Sequence, residues 1–115
     1  MTTLYGISNC DTIKKTRALL EELEIEFDFH DYKKRGCDET LIREFLKHFD
    51  YQLLVNTRGT TWRKLPESVK QGLNKASAIK LMSENNSLIK RPIIESNGNW
   101  LLGFDKEKIR ALASL

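Results

Sequence analysis

Cys10 is the residue best placed to do chemistry in this chain. It stands within Leu4-Tyr5-Gly6-Ile7-Ser8-Asn9-Cys10-Asp11-Thr12-Ile13-Lys14-Lys15. The short apolar run at 3–7 reads as a strand, and Ser8 and Asn9 break it. From Asp11 onward the pattern is helical, with Ile13, Thr16, Leu20 and Leu23 on one face. Cys10 therefore falls where a strand ends and a helix begins. The unpaired N–H groups and the positive dipole end of a helix favour thiolate over thiol. A cysteine so placed tends to be a nucleophile of lowered pKa. Lys14 and Lys15, one turn in, add to that bias, and Asp11 opposes it. A second reading stays open on these residues alone, that of a small buried hydrophobe, which is what most free cysteines are.

The other groups capable of chemistry are sparser. Arg58 and Arg91 lie in polar stretches, where an arginine is by default solvated or in a weak surface ion pair. His30 and His48 have no acid–base partner nearby in sequence and read as structural or exposed. No spacing resembles a metal site. Cys37 is the second of two cysteines. A C-x-x-C pair is absent, because Ile13 occupies the position of the second thiol.

The totals set bounds on what such a thiol can serve. A chain of 115 residues, 40% apolar and 30% charged, is the size and composition of one globular domain. Its formal net charge of +3 permits an anionic substrate without implying nucleic acid. No apolar run approaches a membrane span, and no exported-protein leader pattern opens the sequence. Two cysteines far apart do not make a disulfide framework, so a reducing cytoplasm is the expected location.

The elements that must position Cys10 follow in order. A first helix over 11–24 leads to an alternating strand over 25–31, with Ile25, Phe27 and Phe29 inward. That is a βαβ unit, whose crossover should be right-handed and whose strands should be parallel. The loop at 32–37, carrying Lys33-Lys34-Arg35, then emerges at the same sheet edge as Cys10. Asp38 caps a second helix ending near His48. Residues 51–55 are a strand or a helical turn, and periodicity does not separate the two. The stretch from Asn56 to Lys64 is polar and turn-rich, with Trp62 as a packing residue. Pro66 opens a short helix at its first position, Gly72 closes it, and Asn74 caps another through Met82. Pro92 starts a strand, Asn97-Gly98 makes a hairpin turn, and Trp100-Leu101-Leu102 returns antiparallel. Asp105 caps a last helix. The order β-α-β, helical insertion at about 38–90, then β-β-α predicts an α/β thioredoxin-like fold with a mixed four-stranded sheet, as a single domain over 1–115.

Four stretches in this order resemble the glutaredoxin-coupled arsenate reductase family. They are Tyr5-Gly6-Ile7-Ser8-Asn9-Cys10-Asp11-Thr12-Ile13-Lys14-Lys15, His30-Asp31-Tyr32-Lys33-Lys34, Asn56-Thr57-Arg58-Gly59-Thr60-Thr61-Trp62-Arg63-Lys64-Leu65 and Leu88-Ile89-Lys90-Arg91-Pro92-Ile93. The resemblance is to the small YffB-type branch, with the Spx transcription regulators as cousins, and it runs from Leu4 to Phe104. It implies a thiol-dependent reductase with Cys10 as the attacking thiolate. It also implies substrate binding by Arg58, Arg91, Lys14 and Pro92, the last as a cis-proline beside the cysteine. Forked, permanently charged arginines suit a tetrahedral oxyanion and also stabilise a thiolate. The implied partners are glutathione as cosubstrate, glutaredoxin, and a small oxyanion or mixed-disulfide substrate. No bound cofactor, nucleic acid or membrane is expected, and the chain is expected to be a monomer. The alternative is an Spx-like regulator that binds RNA polymerase without catalysis of its own.

Two departures weigh against arsenate itself. Leu102-Gly103-Phe104 stands where arsenate reductases carry a third arginine. Asp11-Thr12-Ile13-Lys14 replaces a small-residue loop that ends in arginine. With no thiol at position 13, the resolving thiol is expected to be external, and pairing of Cys37, on the same sheet edge, with Cys10 stays open as the alternative.

Overall fold

A computed structural model describes residues 1–114. Along the chain, β1 (Thr2–Gly6) leads into α1 (Asp11–Glu22), β2 (Phe27–Asp31) and a four-residue helix, α2 (Tyr32–Arg35). Then come α3 (Glu39–Phe45), α4 (Tyr51–Leu54), α5 (Thr60–Arg63), α6 (Glu67–Gln71) and α7 (Lys75–Glu84). The final elements are β3 (Ile93–Ser96), β4 (Asn99–Leu102) and α8 (Lys106–Ala111). They form two compact units: Met1–Gly36 with the stretch from Arg91 onward, and Cys37–Lys90.

The first unit holds the whole sheet, in the order β2-β1-β3-β4. β1 and β2 are parallel, whereas β3 runs antiparallel to both β1 and β4. Alternation sorts the two faces. Leu4 and its partner Ile94 point to one face, where they are fully buried with Ile13, Leu20 and Ile109. Ile25, Phe27 and Phe29 pack against that cluster while staying half-buried, as the alternation predicts. Tyr5, His30 and Trp100 occupy the other face as a ring stack, with Tyr5 centroids 5.2 Å from His30 and 6.1 Å from Trp100. The hairpin turn at Asn97-Gly98 has positive φ at both residues, 51° and 85°, which is the mirror-image turn that matches strand twist. Parallel and antiparallel pairs in one four-stranded sheet with flanking helices make this the thioredoxin-like arrangement.

The second unit is helical. α3 packs on α7, and Ile42, Phe45, Ala78, Ile79 and Met82 are buried. Asn74 and Ser77 close a reciprocal capping box at the start of α7. Val55 bridges Ile89, which fastens the end of α4 to the segment after α7.

Several boundaries differ from the sequence reading. β1 lies one residue earlier than the expected 3–7. α1 stops at Glu22 rather than Glu24, because Glu24 takes φ 58° and turns the chain toward β2, which begins at Phe27 instead of Ile25. The stretch read as a loop at 32–37 contains a helix. Asp31 caps it by accepting from the Lys33 N–H at 3.0 Å, a local bond that periodicity cannot reveal. The helix after Asp38 ends at Phe45, and its last turns loosen before Phe49. The ambiguous 51–55 stretch is helical, with Asp50 as its cap. Pro66 is the N-cap of α6 and not its first residue.

Candidate active site

The parallel pairing of β1 and β2 sends both strands out at one sheet edge, and α1 starts there. Cys10 is its N-cap, extended at φ −138° and ψ 129°. Its carbonyl accepts the first helical bond, from the Lys14 N–H at 3.0 Å. The sulfur is half-buried and faces the open N–H groups of the first turn, although it does not close a full capping bond. From the start of the β3 segment, Arg91 donates Nε–H to Cys10 Sγ at 3.4 Å, across 81 residues of sequence.

These contacts set the acidity of the thiol. Burial by itself raises it. The hydrogen bond from Arg91, the Ile13 N–H, the Arg91 charge and the Thr12 N–H oppose burial and together hold Cys10 below the ordinary thiol value. Cys37 is the internal contrast. It is 6% exposed, and burial, with the neighbouring Asp38 carboxylate adding, pushes its thiol up to about 12. Both cysteines are free. Their surroundings therefore shift the two thiols in opposite directions, Cys10 below the ordinary value and Cys37 above it.

Arg91 and Pro92 are joined by a cis peptide bond, and Pro92 is buried. The Pro92 carbonyl accepts the Gly103 N–H at 2.8 Å, so the turn after β4 is tied to the strand that carries Arg91. Lys14 is exposed on the first turn of α1. Arg58 belongs to the second unit, in the turn before α5. Its side chain is exposed and its N–H is held by Asn56 Oδ1 at 3.2 Å. Phe104, at the position expected to hold an arginine, is 39% exposed. His30 has a structural role, with Nε2 bonded to the Gly36 carbonyl at 2.8 Å and its ring set between Tyr5 and Tyr32. Arg35 is spent on a two-pronged ion pair with Asp28, both contacts at 2.7 Å. The Lys33-Lys34-Arg35 run is therefore not a bare cationic loop.

The sequence reading did not single out Gly6, nor the N–H groups of Thr12 and Ile13. The available signal was Ile13 itself, an apolar residue three positions after the cysteine, with a glycine four positions before it. Among the described residues, no group of three or more His, Cys, Asp or Glu is placed to hold a metal ion. No helix among them is long and apolar enough to cross a membrane.

A thioredoxin-like sheet that presents a half-buried, arginine-paired cysteine at a helix N-terminus defines a thiol-chemistry class of protein. Within that class, a family model described as the ArsC family matches residues 5–112, and the chain belongs to that family. The chain is 44% identical over 111 residues to an uncharacterized protein of Haemophilus influenzae, covering 96% of this chain and 97% of the other. It is 30% identical to a global transcriptional regulator Spx of Streptococcus agalactiae, covering 96% and 82%. Solved structures are similar as well. A protein named YffB has 42% identity and a TM-score of 0.92, covering 98% of this chain and 99% of that one. An arsenate reductase (ArsC) related protein from Brucella melitensis has 45% identity and a TM-score of 0.80, covering 99% and 95%.

Proposed function

We propose that the protein is a thiol-dependent reductase in which Cys10 is the nucleophile and glutathione supplies the second thiol. The observation that carries this reading is the Arg91 Nε–H on the Cys10 sulfur at 3.4 Å, at the start of a helix. That contact lowers the thiol pKa and brings a fixed positive charge to where an anionic substrate would meet the thiolate. Fully buried Ile13 replaces a second thiol, so the resolving electron pair comes from outside the chain.

With a disulfide substrate, the thiolate attacks one sulfur and the other leaves as a thiolate, giving a mixed disulfide on Cys10. A glutathione thiolate then attacks that bond and releases Cys10. With arsenate, the thiolate attacks arsenic(V) and water leaves. A glutathione thiolate then attacks the Cys10 sulfur; the S–S bond forms, the S–As bond breaks, and its electron pair leaves with arsenic as arsenic(III), so that a Cys10–glutathione disulfide remains. Glutaredoxin or a second glutathione returns the thiol. Pro92 and Lys14 would line the substrate's approach. Phe104 supplies no charge, so arsenate should be the poorer substrate.

The test is alkylation of Cys10 by iodoacetamide against pH, read by peptide mass spectrometry, with and without arsenate or glutathione disulfide. A midpoint well below about 8.5 together with a glutathione adduct on Cys10 is the expected result. An ordinary midpoint unaffected by either ligand overturns the enzyme reading.

The 30% identity to Spx favours a second reading, a regulator that acts through a protein partner. It predicts co-purification with the RNA polymerase α subunit and no thiol-transferase turnover.

A further inference from the structure

Gly6 is the last residue of β1 and lies four positions before the cysteine. Its φ is not positive, so backbone freedom does not explain a glycine there. Space does. A Cβ built on Gly6 would overlap Ile13 Cδ1 and stand 2.9 Å from Ile13 Cγ1, with Arg91 Cβ at 3.8 Å. Ile13 is 0% exposed and packed into the cluster of Leu4, Leu20 and Ile94, so its side chain has nowhere to swing. Gly6 thus sits beneath both groups that act on the Cys10 sulfur: the first turn of α1 and the arginine facing it.

We propose that Gly6 is a positioning residue for the Cys10 thiolate. The missing Cβ is a notch on β1 that receives the Ile13 side chain, and this seating holds the first turn of α1 with its Thr12 and Ile13 N–H groups toward the sulfur. The proposal rests on the reading of Cys10 as the nucleophile and deepens it. Ile13 then does two things at once: it removes the resolving thiol from the motif, and it anchors the turn that activates the remaining one.

A geometric lock of this kind makes a prediction that simple packing does not. Overfilling the notch (Gly6→Ala) and emptying it (Ile13→Val, which removes Cδ1) should both move the Cys10 alkylation midpoint upward, by about half a unit or more. Gly6→Ala combined with Ile13→Val removes the Cδ1 overlap and leaves only the 2.9 Å approach to Cγ1, so it should bring the midpoint part of the way back toward the wild-type value. Arg91→Ala and the unaltered protein are run alongside, with circular dichroism checking the fold. If Gly6→Ala does not fold, Ile13→Val and the double variant still decide. A low wild-type midpoint that Arg91→Ala raises, while the notch variants leave it unmoved, overturns the positioning role and spares the nucleophile. Failure of the double variant to recover any of the shift overturns it too. An ordinary midpoint in the unaltered protein removes the nucleophile itself.

Discussion

The two cysteines differ because of what each faces, and pH separates them in opposite directions. Cys10 has its folded pKa lowered, so its contribution to stability is present above the ordinary thiol value and is lost as pH falls through its own pKa. Cys37 has its folded pKa raised to about 12. Its contribution is fully present below the ordinary thiol value and fades as pH rises toward that figure. Urea unfolding at pH 8 and pH 10.5 should therefore show an alkaline loss of stability that shrinks in Cys37→Ala. Cys10→Ser should abolish thiol-transferase turnover and leave the melting curve close to that of the parent. Arg91→Ala should raise the Cys10 alkylation midpoint, since it removes both a hydrogen bond and a charge. Arg91→Lys should recover only part of that shift, because a point charge on a flexible stem cannot hold the Nε–H geometry.

Among the elements, caps decided where the sequence was readable. Asp38, Asn74 and Asp105 were each legible as caps, because an oxygen-bearing side chain ahead of a helical pattern has one obvious use. Asp31 was not, since it ends a strand and caps the very next residues, so strand and helix share it. The end of α3 at Phe45 is hidden in the sequence for a related reason. Phe49 keeps helical spacing with Phe45, and its N–H still reaches the Phe45 carbonyl at 3.0 Å, yet the intervening turn has loosened. Asn74→Ala removes an acceptor that serves the Ser77 N–H at 2.9 Å, and it should cost about 1 kcal/mol in urea unfolding. Gly98→Ala forces a side chain into φ +85° at the hairpin turn, with a loss of about 1 kcal/mol in the same measurement.

At the scale of the whole molecule, the burial that holds the sheet unit together also holds the site. Leu4, Ile13, Leu20, Ile94 and Ile109 share one cluster, and Ile13 belongs both to that core and to the turn behind the thiolate. Leu4→Ala should lower stability by roughly 2–5 kcal/mol, measured by thermal or urea unfolding, through lost transfer energy and a residual cavity. The sequence alone determined the strand–cysteine–helix joint, the β-α-β and β-β-α halves and the mixed sheet. These rest on period, caps and turn residues, which act over a few positions. Only the tertiary structure decided that Arg91 donates to Cys10 across 81 residues, that Cys37 is sealed while Cys10 is open, and that Gly6 leaves a notch for Ile13. Local patterns specify elements because their energetics are local. A thiol's acidity depends on donors and burial that distant segments bring within a few ångströms, and no spacing along the chain records that distance.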